Sequence, residues 1–235
     1  MFVKITEIEH YTDTLFRFRT ERPQTFRFTA GEFTMIGMGD DDISRAYSIT
    51  AGPYDEELEF YSIKVPDGPL TSRLQHIKVG DEIEVGTKPT GTLTLANLEF
   101  GGNLWMLATG TGIAPFISLL RDHETFDAFN RIHVVWSVRK QAELNAYHSW
   151  LETLDIDYIP IVTRDSEWSG QDKRMTKLMQ DGIILTGSSP KNDKVMICGS
   201  MPFNNDIKEL LTSLGWQEGN RKIPGNFVQE RAFVL

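Results

Sequence analysis

The sequence predicts two domains of different class. The N-terminal part is all-β, a barrel or a sandwich. The C-terminal part is α/β, a parallel sheet covered by helices. Three observations carry this. Residues 2–98 alternate apolar and polar positions between closely spaced turn signals. From Leu104 onward, short apolar runs alternate with helical segments. A glycine-rich turn, Ala108 to Phe116, joins the first of those runs to a helix. A length of 235 residues suits two domains of ordinary size.

In the first half, Leu15–Arg19 and Leu58–Val65 have the alternation of half-buried strands. Turns are expected at Ala30-Gly31, Gly39-Asp40, Gly52-Pro53, Pro66-Asp67-Gly68-Pro69, Val79-Gly80-Asp81 and Thr90-Gly91. One short helix is expected near Leu70 to His76, with Thr71 and Ser72 as its caps. In the second half the strands are Leu104–Ala108, Ile132–Trp136, Ile156–Val162 and Val195–Ile197. The helices are Ala114–Leu120, Ala142–Leu151 and Met175–Met179. The boundary falls at residues 97–103, where Phe100-Gly101-Gly102 reads as a linker, giving domains of 1–98 and 99–235.

Bulk composition excludes several classes. The net charge is −9, and both halves are acidic: 10 Lys and Arg against 16 Asp and Glu in residues 1–98, and 14 against 17 in the rest. Nucleic acid is therefore not expected as a partner. No apolar run reaches the ~20 residues that span a bilayer, and the N-terminus has no secretory pattern. The single cysteine, Cys198, can form neither an internal disulfide nor a four-cysteine metal or iron–sulfur site. The five histidines show no metal-ligand spacing, so no metal is expected. A cytoplasmic monomer is the expectation.

Three stretches have the chemistry of anion and ring binding. In the turn, Gly110, Thr111 and Gly112 let the backbone approach a ligand, and the next helix offers its N–H groups. Pro115 stands where the dinucleotide fingerprint has its third glycine, so the match to that fingerprint is incomplete. In "SRAYSIT", Ser44 to Thr50, Arg45 shares a strand face with Tyr47, and Ser48 adds a hydroxyl. A planar ring with a phosphate tail would use all three. In "VPDGPLTSRL", Val65 to Leu74, a turn leads into a helix N-terminus, again an anion site. Each stretch alone also fits an ordinary strand, turn or capped helix.

In this order, "RAYS", "DGPLTSRL", "KPTGTL" (Lys88 to Leu93), "TGTGIAPF", "VMICGSM" (Val195 to Met201) and "ERAFV" (Glu230 to Val234) resemble the ferredoxin–NADP⁺ reductase family, most closely its compact bacterial branch. The motifs span nearly the whole chain. The resemblance implies an antiparallel barrel binding FAD and a Rossmann-like domain binding NADP(H), with electrons passed to or from ferredoxin or flavodoxin. It implies that Arg45 and Ala46 bind FAD with Tyr47, which stacks on the isoalloxazine. Ser48 lies near flavin N5. Ile63, Lys64 and Val65 line the flavin with their backbone, and Leu70, Thr71 and Ser72 hold the pyrophosphate. Gly110, Thr111 and Gly112 lie beneath the nicotinamide and pyrophosphate of NADP(H), with Thr111 also near FAD. Cys198 and Gly199 close the nicotinamide pocket. The division of labour is sound: a nicotinamide gives two electrons at once, an iron–sulfur protein takes one, and a flavin exchanges either.

Arginine suits the 2′-phosphate that separates NADP from NAD. Arg164 and Arg174 are assigned to it, and Arg139 to a neighbouring phosphate. In the tail, Glu230 matches the family's acidic residue near the nicotinamide. Ala232 stands where many relatives have a covering aromatic residue, and Phe233 is placed against the FAD adenine. Ser48, Cys198 and Glu230 form the expected catalytic set, with no thiolate chemistry at Cys198. For an acidic partner, Arg17, Arg19, Arg22 and Arg27, with Arg221, Lys222 and Arg231, are the expected docking surface. Rival readings are an NAD(P)H–flavin reductase, the reductase component of an oxygenase, and a non-catalytic barrel binding module.

Overall fold

The computed structural model describes residues 1–232. They form two compact units. The first holds Met1–Gly91 together with Ala114–Asp122. The second holds Thr92–Ile113 and the chain from His123 onward. The expected boundary at 98 thus differs in two places. Thr92–Leu98 belongs to the second unit, and a nine-residue segment from the middle of the chain belongs to the first.

The first unit has six strands: β1 (Phe2–His10), β2 (Leu15–Glu21), β3 (Phe33–Gly37), β4 (Ser44–Ser48), β5 (Glu57–Ile63) and β6 (Glu82–Val85). Their spatial order is β4-β3-β6-β1-β2-β5, and every pairing is antiparallel. The outer strands are joined by a bridge between Ile49 and Phe60, and Thr50 N–H donates to Glu59 O at 2.8 Å. The sheet therefore closes into a barrel, which removes its exposed edges. Inward positions supply the core: Val3, Ile5, Phe16, Phe18, Ile36, Leu58, Phe60, Ile83 and Val85.

Two helices belong to this unit. The first, α1 (Thr71–Leu74), is only four residues long. Its cap position is Leu70, and no side chain caps it. The expected capping by Thr71 and Ser72 is therefore corrected: the Thr71 hydroxyl is drawn back to Val65 instead. The second, α2 (Ala114–Leu120), follows the glycine turn and is buried at every residue. Ser118 Oγ donates to Ala51 O at 2.7 Å. Just past the helix, Arg121 reaches Thr50 O at 3.2 Å, Asp55 at 3.4 Å and Glu59 at 3.1 Å.

The second unit has five parallel strands: β7 (Asn103–Thr109), β8 (Arg131–Val138), β9 (Asp157–Val162), β10 (Asp193–Gly199) and β11 (Phe227–Arg231). Their order is β11-β10-β7-β8-β9. β10 is buried at all seven residues, as a central strand covered on both faces must be. The helices are α3 (His123–Ala128), α4 (His148–Leu151), α5 (Met175–Gln180) and α6 (Met201–Ser213).

Two expectations change here. The helix expected over 142–151 is a 3₁₀ turn at Gln141–Leu144 and then α4, interrupted before Tyr147, whose φ is −137°. The longest helix, α6, was not expected. Its Asn204-Asn205-Asp206 run reads as loop, yet Asn204, Ile207 and Leu211 share one buried face at 3.6-residue spacing. Among the described residues, no helix is long and apolar enough to cross a membrane, and no cluster of three His, Cys, Asp or Glu could hold a metal.

Candidate active site

In the barrel, strand β4 presents Arg45 and Ala46 to solvent and turns Tyr47 into the core. Arg45 Nη1 donates to Ser44 O at 2.8 Å, and no carboxylate pairs with it among the described residues. The Tyr47 ring meets Phe18 and Phe60 in near edge-to-face contacts and its hydroxyl lies 3.2 Å from Ser62 Oγ. Burial pushes its phenol up, against the opposing effect of the Ser62 bond, so it stays protonated. Ser48 is half-buried at the end of the strand.

The next stretch is built by a side chain folding back. Thr71 Oγ1 donates to Val65 O at 3.2 Å and accepts from Val65 N–H at 3.3 Å. This bond closes the loop Val65–Leu70 and leaves Ile63, Lys64 and Val65 half-exposed. Lys64 is committed locally, its Nζ donating to Thr12 O at 3.0 Å. The backbone N–H groups of Leu70 and Thr71 donate to no acceptor among the described residues. Adjacent free N–H groups at a turn are suited to an anion.

In the α/β unit, the glycine turn is a 3₁₀ turn, Gly110–Ile113, at the end of β7. Its two glycines have different causes. Gly110 has φ +53° with open space beside it, so the demand is conformational. A Cβ on Gly112 would lie 2.1 Å from the Cys198 carbonyl oxygen, so the demand is a close approach of the turn to β10. Gly199 is excluded from carrying a Cβ by Thr109 Oγ1 at 2.2 Å. Trp136 Nε1 donates to Gly110 O at 2.8 Å and fixes the turn from β8.

Cys198 has no exposed surface. Burial, and then the charge of Glu230, push its thiol well up, so it is neutral and unreactive. Glu230 is its register partner on β11, and Ala232 N–H donates to Gly199 O at 3.1 Å. Phe233 lies outside the described residues.

Arg139 and Arg164 follow the adjacent strands β8 and β9, and Arg164 N–H donates to Arg139 O at 2.9 Å. Arg174 sits at the cap position of α5. All three are exposed, Arg139 and Arg164 just past the carboxyl ends of β8 and β9 and Arg174 at the start of α5. None has an ion-pair partner among the described residues, whereas Arg131 is paired bidentately with Asp157. The expected docking arginines of the barrel differ from them. Arg17 is engaged by Glu7, Glu9 and Glu59, and Arg19 by Glu7, Glu57 and Glu59. Arg22 binds the carbonyls of Pro53 and Asp55 at 2.8 Å and lies over the Phe28 ring. Arg27 binds the carbonyls of Gln24 and Phe26. These four make bonds within the barrel, and Arg27 among them stays exposed.

Two family models divide the chain. One described as an oxidoreductase FAD-binding domain matches residues 2–94, and one described as an oxidoreductase NAD-binding domain matches residues 106–209. The flavodoxin/ferredoxin–NADP reductase of Rhodobacter capsulatus is 46% identical over 98% of this chain and 92% of its own length. The ferredoxin–NADP reductase of Pseudomonas aeruginosa is 41% identical over 98% and 96%. The chain belongs to the ferredoxin–NADP reductase family. A crystal structure from the same family, that of Neisseria gonorrhoeae with bound FAD and NADP, superposes with a TM-score of 0.92 at 30% identity over 99% of this chain and 98% of that one.

Beside the family motifs, the structure adds residues that sequence reasoning missed. Glu59 is 2% exposed yet charged, with Arg17, Arg19 and Arg121 around it. Its signal was a carboxylate inside "LEFYSI", an otherwise apolar run. Thr92, Asn97 and Asn204 hold the end of β11; Thr92 lies in the motif "KPTGTL" with no role assigned to it there, and no pattern in the sequence marks Asn97 or Asn204.

Proposed function

We propose that the chain is an FAD-dependent oxidoreductase that exchanges electrons between NADP(H) and a one-electron carrier, ferredoxin or flavodoxin, as the names of its family members state. The observation that carries this is that each unit has an anion-ready surface of its own. The barrel offers an Arg45 with no carboxylate partner among the described residues, and the free N–H groups of Leu70 and Thr71. The α/β unit offers the glycine turn and three exposed arginines, two past strand ends and one at the start of α5.

The residues fit FAD and NADP(H) in the following sense. Arg45 would bind the FAD phosphates with Leu70, Thr71 and Ser72, while Ala46, Tyr47, Ser48 and Ile63–Val65 line the ring. Phe18, Phe60 and Ser62 hold the Tyr47 ring in one orientation, which suits a rigid wall. Gly110, Thr111 and Gly112 would take the nicotinamide half of NADP(H), with Cys198 and Gly199 beside them. When bound, the flavin accepts a hydride and releases single electrons. The chain's own residues orient the rings and hold protons. The neutral Cys198 thiol offers no nucleophile to compete with hydride transfer.

Arg164 and Arg174 are the proposed 2′-phosphate ligands, and Arg139 serves a neighbouring phosphate. Their unpaired state favours this, because an arginine committed to a carboxylate would give up that pair on binding. Arg221, Lys222 and Arg231, all exposed, are the proposed contact with an acidic carrier. A single chain working in the cytoplasm completes the reading.

The purified protein should be yellow, and anaerobic NADPH should bleach it far faster than NADH. Arg164→Ala combined with Arg174→Ala should lower kcat/KM for NADPH by about 100-fold, the value of one to two charge-assisted hydrogen bonds, and leave that for NADH within about threefold. A colourless protein that takes up no FAD, or equal losses with both nucleotides, would count against the assignment.

A further inference from the structure

The ladder between β10 and β11 ends at Gly199 and Arg231. Side chains of the same unit grip the last residues of β11. Asn204, on the first turn of α6, donates from Nδ2 to Glu230 O at 2.8 Å. Thr92 Oγ1 donates to Gln229 O at 2.9 Å, and Thr92 N–H donates to Glu230 Oε1 at 3.3 Å. Asn97 holds Thr92 in turn, its Nδ2 donating to Thr92 O at 2.9 Å.

Asn204 carries a cost that these bonds explain. It is 1% exposed, and its Oδ1 is buried with no hydrogen-bond partner among the described residues. A leucine would occupy a similar volume without an orphaned acceptor, and buried orphans are rare because they destabilise. What the amide adds is one directed bond, to the backbone of the residue whose carboxylate lies beside Cys198.

We propose that Asn204, with Thr92, is a positioning residue that sets the Glu230 carboxylate at the Cys198–Gly199 end of β10. The inference rests on Glu230 being the acidic residue that serves hydride transfer. Among the described residues the Asn204 side chain makes this one hydrogen bond, to the Glu230 carbonyl. Its contribution to the reaction therefore disappears when Glu230 can no longer carry charge, which is the signature of coupling between neighbours.

The test is a double-mutant cycle on the FAD-loaded protein, read by anaerobic stopped-flow reduction with NADPH, with labelling of the sole cysteine by N-ethylmaleimide as a readout that needs no turnover. Asn204→Ala is expected to slow flavin reduction about tenfold in the parent chain, as loss of one directed hydrogen bond does, and less than twofold in Glu230→Gln. It is also expected to speed Cys198 labelling, because the end of β11 loosens. Thr92→Val, at a half-buried position, serves the same arms should Asn204→Ala fail to fold. Equal slowing in both backgrounds, or unchanged labelling, overturns the inference and leaves the role of Glu230 intact. Unchanged reduction in Glu230→Gln by itself overturns the role of Glu230, and the inference with it.

Discussion

Single residues decide the glycine turn, and they also show how far a motif can be read. Gly110, Thr111 and Gly112 were legible as a glycine turn between strand and helix, but the reason for Gly112 was not. Its neighbour is the carbonyl of Cys198, 86 positions away in the chain, and only the fold brings them together. Gly112→Ala puts a methyl where no atom fits, and backbone cannot yield as a flexible side chain can. We expect a loss of roughly 2 kcal/mol or more of stability in urea unfolding, together with weaker NADPH binding. Gly110→Ala, with open space and φ +53°, should cost only about 1 kcal/mol, the cost of the left-handed conformation. The reverse order would mean that the turn is not held against β10. Tyr47 teaches the converse. Its strand was legible, yet its burial against Phe18 and Phe60 depends on β2 and β5 closing over it.

At the scale of elements, the strands were read well because they are short, apolar and bounded by turns. All four predicted parallel strands stand within three residues of the expected ends. The misses are where long-range partners overrule local signals. α6 hides behind a polar run because one side of Asn204-Asn205-Asp206 is buried only in the folded unit. The seat of α2 was illegible too, since its contacts, Ala51 for Ser118 and Glu59 for Arg121, lie more than 60 residues away. The Glu59 cluster is the strongest test at this scale. Burial alone would push its carboxyl up, but Arg121, the Arg19 hydrogen bond and Arg17 outweigh it, so its value is lowered in the fold. A carboxylate lowered in the native state stabilises above its ordinary value of 4.5, and that stabilisation is lost as pH falls through the native value. Glu59→Gln should therefore cost about 2 kcal/mol at pH 7, by leaving three half-buried arginines without their counter-charge. The gap between variant and parent should narrow toward pH 3 in denaturant melts. A gap independent of pH would place the loss in packing. Ser118→Ala, which strands the Ala51 carbonyl, should cost about 1 kcal/mol by the same assay.

For the whole molecule, charge is the governing quantity. The net charge of −9 would repel an acidic carrier, so the proposed contact at Lys222 and Arg231 is expected to respond to salt. Screening shortens from about 10 Å at 0.1 M salt to about 3 Å at 1 M. Turnover with ferredoxin or flavodoxin should change severalfold over that range, while reduction of a small neutral dye by NADPH should stay level. Equal salt responses in both assays would remove electrostatic docking from the account. The other global property is the interrupted first unit, in which Met1–Gly91 is completed by Ala114–Asp122. On the ribosome, Glu59 emerges with Arg17 and Arg19 but long before Arg121, so the nascent barrel must wait for its third counter-ion, encoded 62 positions downstream. The two halves are thus spliced at the level of translation, and a gene cut at codon 98 would not yield a transplantable flavin module. A cut that spared codons 114 to 122 could.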